Sequence, residues 1–204
     1  MKLALSGLES LRFNHVVGST AEHRGHKALR LVLAPDAKTP DEPNFALIEG
    51  APFANGTIEV ELASQILPKS EPQVRGFVGV AFRIADDASR FECVYIRPTN
   101  ARADDQLRRN RSIQYFGYPE FKFDRLRKEA AGIYESYVDL ELGAWTKLRI
   151  EVAGDKARVF VHGAAQPTLI VNDLKLGAAA TGAVGLFIDN GSEGFFRDLT
   201  ITPK

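Results

Sequence analysis

The chain reads as an all-β protein, a two-sheet antiparallel β-sandwich of jelly-roll type with one long loop and a short helix. Three observations predict this. Apolar residues alternate with polar or small ones at period two through segment after segment. Gly, Pro, Asn and Asp punctuate the gaps. So many short strands in a chain of 204 residues would leave an apolar face wet in any single sheet, so two sheets must pack on each other.

Taken in order, residues 1–25 carry a broken apolar run and read as a strand and loop segment ahead of the regular pattern. Strands are expected at 27–33 and 45–49. Between them "APDAKTPDEPN", 34–44, with three prolines, reads as a surface loop. In "TIEVELA" the residues Ile58, Val60 and Leu62 share one face and Glu59 and Glu61 the other, with Asn55-Gly56 as the turn before them. Strands follow at 76–84, 91–99 and 111–117. Only 124–131 has helical character, and Gly132 stops it. After a strand at 134–140, "WTKLRIEVAGDKARVFVHG" is the clearest hairpin. Leu148, Ile150 and Val152 run out, Gly154 and Asp155 turn, and Ala157, Val159 and Val161 return. Strands at 168–172, 183–189 and 195–202 complete the set, with Asn190-Gly191 as a turn. No repeat of fixed period and no low-complexity linker divides the chain, so 1–204 reads as one domain.

Composition narrows the function. Lys plus Arg equals Asp plus Glu, 26 each, which removes a global field toward nucleic acid or an anionic membrane. Cys93 is the single cysteine, so no internal disulfide forms and no multi-cysteine metal site exists. No run approaches the ~20 apolar residues of a membrane span, and "MKLALSGLESLRFNH" is too interrupted for a signal-peptide core. The expectation is a soluble cytoplasmic protein, or a secreted one if its true start is missing.

Two neighbouring strands carry an unusual second face. Opposite the core set Val78, Val80, Phe82 and Ile84 lie Phe77, Gly79, Ala81 and Arg83. Opposite Val94 and Ile96 lie Cys93, Tyr95, Arg97 and Thr99. Side by side these make a trough floored by Gly79, Ala81 and Cys93 and walled by Tyr95, Arg83 and Arg97. Small residues leave room for a ring, and arginine with tyrosine supplies donors and a stacking plane. A second layer packed under a loop is the plainer account of the same pattern.

"RPTNARADDQLRRNRSIQYFGY", 97–118, then reads as a long loop over one end of the trough, bringing Asn100, Arg108, Arg109, Tyr115 and Tyr118 beside it. Its acids Asp104 and Asp105, with Glu129 and Glu135 further on, are the carboxylates best placed to meet arginines. An acid beside guanidiniums has its pKa lowered, which suits a base or a ligand holder. The same charges also read as an ion-pair network bracing a loop. Glu92, at the start of its strand, is a further candidate. Glu59 with Glu61 and Asp139 with Glu141 have the spacing of paired carboxylates, but both pairs lie opposite apolar stripes and read as solvent-facing.

The four histidines are scattered, and "HRGH" at 23–26 lacks the spacing of a helical zinc pair. No cofactor is expected. Calcium at Asp86-Asp87 or Asp189-Asn190 is the weak alternative, since a turn explains both equally well.

"YIRPTNARADDQLRRNRSIQY", "GIYESYVDL", the Gly-Asp hairpin ending in "VFVHG", "PTLIVNDLK" and the closing "GAVGLFIDNGSEGFFRDLTIT" resemble the concanavalin A-like lectin/glucanase superfamily. More narrowly they are similar to its laminin-G-like branch, which includes the 3-keto-disaccharide hydrolase domains. The resemblance spans about residues 26–202. It implies a jelly roll of two curved sheets with a ligand on the concave side, and carbohydrate as that ligand. The Glu-x-Asp-x-Glu strand of the superfamily's glucanases is absent, which counts against their mechanism.

Three functions follow. The first is a lectin-like module with Arg83, Tyr95, Arg97, Asn100 and Tyr115 lining the trough, arginines on hydroxyls or a carboxylate and tyrosines on the ring. The second is a hydrolase or lyase acting on a glycoside or modified sugar, with an acid among Asp104, Asp105, Glu129 and Glu135 as base. The third is a structural or partner-binding module in which the arginine loop is a brace.

Overall fold

The computed structural model describes all 204 residues. In chain order its strands are β1 (Lys2–Leu3), β2 (Leu11–Asn14), β3 (Val16–His23), β4 (His26–Leu33), β5 (Phe45–Phe53), β6 (Gly56–Ile66), β7 (Val78–Ile84), β8 (Phe91–Ile96), β9 (Ile113–Tyr118), β10 (Glu135–Ser136), β11 (Thr146–Ala153), β12 (Lys156–Val161), β13 (Leu169–Val171), β14 (Gly182–Ile188) and β15 (Ser192–Pro203). Three short helices, α1 (Pro98–Ala101), α2 (Gln106–Arg109) and α3 (Phe123–Glu129), lie in the connections around β9.

The strands form two antiparallel sheets. One runs β13-β12-β11-β6-β15-β4-β3, with β1 paired to β15; the other runs β10-β9-β8-β7-β14-β5-β2. Consecutive strands pair in β3–β4, β7–β8–β9–β10 and β11–β12–β13, but others meet from far apart in sequence, as in β6 against β11 and β7 against β14, so the sandwich closes only when distant segments meet. The period-two pattern decides what lies between the sheets. Ile58, Val60 and Leu62 of β6 pair with Ile150, Leu148 and Thr146 of β11. From the other sheet Val78, Val80, Val94, Leu186 and Ile188 point at them, and Ile188 reaches Gly194 of β15. All of these apolar residues are buried. The two sheets with short helices are the sandwich that alternation alone predicts. No helix is long and apolar enough to cross a membrane.

The second sheet differs from an ordinary amphipathic one because β7 and β8 are buried on both faces. On the side away from the sandwich core, Phe45, Phe91, Phe116 and Phe187 interlock. Their ring centroids are 5.2 Å apart for Phe45–Phe91, 5.6 Å for Phe91–Phe116 and 5.7 Å for Phe116–Phe187. Edge-to-face packing of this kind is the arrangement ring quadrupoles favour. Segment 34–44 is tied to the end of β9 and to α3 beside them, Glu42 accepting from Tyr118 and Lys122 and Asp41 from the Phe123 amide.

Local differences from the expected elements have local causes. The strand expected at 91–99 stops at Ile96, because Pro98 cannot continue a ladder and instead opens α1. Of 134–140 only Glu135 and Ser136 pair. The segment 34–44 is not simply a surface loop, since Asp41 and Asn44 are completely buried. Within the first 25 residues β3 forms a hairpin with β4 through Arg24 and Gly25.

Candidate functional site

One end of the outer face of the second sheet stays open. There a hollow of about 470 Å³ is lined by Phe77, Tyr95 and Arg97 from β7, β8 and their flanks, Asn100, Arg108 and Arg111 from the loop, Phe123 and Arg127 from α3, and Asp41, Asp189 and Asn190. Its size lies within the ~300–1,000 Å³ of small-ligand pockets.

The elements explain the convergence. Tyr95 is on β8 between Gly79 of β7 and Gln114 of β9 in register. The backbone of Tyr95 needs Gly79 beside it, because a Cβ there would sit 2.2 Å from the Val94 carbonyl and 2.6 Å from Tyr95 Cα. Arg97 follows where the strand ends and lays its guanidinium 4.8 Å from the centroid of the Tyr95 ring. It donates to the Tyr95 hydroxyl at 2.5 Å, to Gln114 Oε1, and to Glu135 Oε1 at 3.0 Å.

Glu135 is the anionic hub under the hollow. Beyond Arg97 it accepts from Arg127 Nε at 3.0 Å and Nη2 at 2.5 Å, and Arg111 Nε lies 3.5 Å away. Burial by itself would raise this carboxyl; the Arg127 hydrogen bonds and the Arg97 and Arg127 charges override it and hold Glu135 below the usual carboxylate range.

Two more acids form the opposite wall. The Asp41 amide donates to Asp189 Oδ2 at 2.8 Å, and Asp189 Oδ1 accepts from the Asn190 amide at 2.7 Å. Asp41 Oδ2 accepts from the Phe123 amide at 2.9 Å, which ties the 34–44 segment to α3, while Asp41 Oδ1 is buried without a partner. Burial and then the neighbouring Asp41 charge push Asp189 up to about 7. Burial also raises Asp41, against the pull of the Phe123 amide and Arg97. Burial thus raises the proton affinity of both carboxyls, that of Asp189 into the neutral range.

No family model matches the sequence, and no curated protein does. Solved structures do. The carbohydrate binding module CBM66 from Bacillus subtilis superposes with a TM-score of 0.54 at 15% identity, over 93% of this chain and 96% of that one. A Bacillus subtilis protein of unknown function with a galectin-like fold gives 0.58 at 12% identity, over 98% and 94%. A Parabacteroides distasonis protein provisionally named a glycosyl hydrolase gives 0.57 at 16% identity, with both chains covered in full. Agreement over whole chains, in a two-sheet sandwich of this order, decides the fold. It is the concanavalin A-like lectin/glucanase fold. At these identities the likeness concerns fold alone.

On this concanavalin A-like frame the expected site residues separate into groups. Tyr95, Arg97, Asn100 and Arg108 line the hollow, with Tyr95, Arg97 and Asn100 almost wholly buried. The floor expected from Gly79, Ala81 and Cys93 is closed: Ala81 and Cys93 have no exposure and lie under the phenylalanine cluster. The Tyr95 ring is packed among Phe77, Phe116 and Phe187, so the rings left at the mouth are Phe77 and Phe123, not a tyrosine.

Arg83 is a correction. It adopts φ 54° where β14 slips register against β7 between Ala183 and Gly185. The break in alternation turns the side chain into the sandwich, where it donates to the carbonyls of Ala54, Gly154 and Gly177 at 2.9, 2.7 and 3.1 Å. Tyr115 is another. It stands on the core face, donates to Glu92, and accepts from the Lys175 amide at 2.7 Å. Glu92 is thereby an interior carboxyl, bonded also to the Leu176 amide at 2.9 Å.

Tyr118 stacks on Phe91 at 4.9 Å and donates to Glu42. Arg109 donates to the Tyr137 hydroxyl at 3.3 Å. Of the expected acids only Glu135 meets the arginines of the hollow. Asp104 and Asp105 lie with Arg109 in a separate shallow dip, where Asp105 caps α2 by accepting the Arg108 amide at 2.7 Å. Glu129 is exposed and pairs with Arg125 at 2.8 Å. Asp139 and Glu141 both pair with Arg102 on the surface, and Glu61 with Arg197.

Asp87 accepts the Ser89 amide in the β7–β8 turn, and no three His, Cys, Asp or Glu side chains stand together as metal ligands. The hollow's own acids were illegible by pattern: Asp41 sits in a proline-rich loop, and Asp189 ends a strand where turn chemistry accounts for it. The one available cue was the run of an acid directly after an apolar strand, "LFID".

Proposed function

We propose that this protein is a carbohydrate-binding module whose ligand occupies the hollow above Tyr95 and Arg97. The observation that carries the reading is the convergence in one open cavity of two aromatic side chains, Phe77 and Phe123, with Asn100, Arg108 and Asn190. Sugars need this combination: an apolar plane for their CH face, and fixed donors and acceptors for their hydroxyls. Buried groups beneath hold the walls still, so little ordering cost falls on binding. The carbohydrate binding module among the similar structures supports the same reading.

Thermal-shift screening against mono- and oligosaccharides at millimolar concentration tests it, repeated with Phe77→Ala. A ligand that raises the melting temperature of the natural protein and not of the variant is expected. No shift with any sugar sinks the proposal.

A second reading, a hydrolase or lyase acting on a glycoside or modified sugar, is favoured by Asp41 and Asp189. Two carboxyl groups raised by burial in one cavity, Asp189 to about 7, are what general acid and base chemistry uses. Release of new reducing ends or of unsaturated product from a bound saccharide, abolished by Asp189→Asn, would favour this over simple binding.

A further inference from the structure

The charges around the hollow are not in balance. Four guanidiniums, Arg97, Arg108, Arg111 and Arg127, face three carboxyl groups, Glu135, Asp41 and Asp189. The carboxyls do not serve the cations evenly. Glu135 is taken by Arg97 and Arg127 at 3.0 and 2.5 Å, leaving Arg111 at 3.5 Å. Asp41 and Asp189 receive backbone amides.

Arg108 has no acidic partner for its guanidinium. Its contacts are long ones, 3.4 Å to Asn100 Oδ1 and 3.4 Å to the Thr99 carbonyl. Close by, Arg75 bonds only the carbonyls of Pro72 and Val74, and its pKa is lowered by burial and then by Arg108 and Arg97. Arg111 is lowered likewise, by burial and then by Arg127. Cations crowded at a partly buried wall without counter-charges repel one another, and an anion placed among them relieves this.

We propose that the ligand is an anionic saccharide, its carboxylate or sulfate held by Arg108 and Arg111 while its hydroxyls meet Asn100 and the Asp41–Asp189 wall. The proposal rests on the carbohydrate reading above and deepens it. A guanidinium fork matches the two oxygens of a carboxylate or sulfate, and both arginines are half-buried, so water screens the contact only in part. Asp41 and Asp189 line the same cavity as these arginines.

Calorimetric titration of the full chain at low ionic strength tests this with four probes: a uronate oligosaccharide, its neutral counterpart, a sulfated counterpart, and inorganic sulfate. The charged sugar is expected to bind at least about tenfold more tightly than the neutral one, and Arg108→Gln to remove that preference. Lys156→Gln, which takes one exposed charge from the opposite sheet, is expected to keep it. The uronate and sulfated arms tell which acid group the wall takes.

Equal or tighter binding of the neutral sugar overturns the anionic assignment and leaves saccharide binding standing. Failure of every sugar overturns both. Inorganic sulfate binding as tightly as the charged sugars overturns it too, since the cavity is then an ion site. Should Arg108→Gln melt much lower than the natural protein, Arg111→Gln provides the same comparison, and an undiminished preference in that variant refutes the proposal.

Discussion

Asp189→Asn probes the acid wall of the hollow most directly. In the folded chain Asp189 titrates at about 7 instead of its ordinary 3.8, because burial and the Asp41 charge oppose ionisation. The folded state therefore holds a proton that the unfolded state releases. Stability from this group is complete below the unfolded value and is lost as pH rises through the folded one. At ~1.4 kcal/mol per pH unit the full loss is about 4 kcal/mol, an upper figure because the titration of Asp189 is coupled to the Asp41 charge. Asparagine removes the charge but keeps only one acceptor for the two amides of Asp41 and Asn190, which costs about 1–3 kcal/mol.

The variant should therefore be less stable than the natural protein by about 1–3 kcal/mol below pH 3.8, should draw level between about pH 4.5 and 6, and should be the more stable of the two at pH 8. Urea unfolding at a series of pH values between these limits measures the difference. A gap between the two proteins that stays constant within about 0.5 kcal/mol across the range would refute the account of Asp189 as a carboxyl kept neutral by its surroundings.

Three further outcomes are expected. Glu135→Gln leaves Arg97 buried without its counter-charge and should cost about 3–5 kcal/mol in urea unfolding at pH 7; a loss under about 1 kcal/mol would mean the arginines simply turn to solvent. Gly79→Ala drives a methyl into the Val94 carbonyl and Tyr95 Cα, backbone atoms that cannot swing aside. It should destabilise by about 1–3 kcal/mol, and weaker saccharide binding in the folded fraction should accompany it. Tyr115→Phe strips Glu92 and the Lys175 amide of a partner and should cost about 2 kcal/mol, while calorimetry shows saccharide affinity unchanged, since Tyr115 faces the sandwich core.

The sandwich was legible because its signal is local. Ile58, Val60 and Leu62, or Leu148, Ile150 and Val152, declare a strand and its buried face from their own spacing. That Arg97 and Tyr95 share the second face of their strand was legible for the same reason, since its first face was plainly core, and both line the hollow. Arg83 obeyed the same spacing and went elsewhere. Its placement depends on a register slip in β14, a strand about a hundred positions downstream, and nothing near Arg83 in sequence encodes that partner's irregularity. Of the two accounts of the Gly79, Ala81 and Cys93 face, the packed second layer holds over the open trough, for a related reason. Alternation tells which side chains share a face, but not that Phe45, Phe116 and Phe187 arrive on that face from three other strands.

From its residues alone this protein is determined to be a two-sheet β structure, with an arginine-rich excursion after β8 and a second buried or binding face on β7 and β8. Period-two patterning and turn chemistry act over a few residues and need no partner. Only the tertiary structure decided which carboxyls meet which guanidiniums. Glu135 joins Arg97 and Arg127, and Asp41 joins Asp189 across 148 positions of chain. Burial and Coulomb interaction are long-range in sequence and short-range in space, so the protonation and charge of the hollow exist only once the sheets have closed.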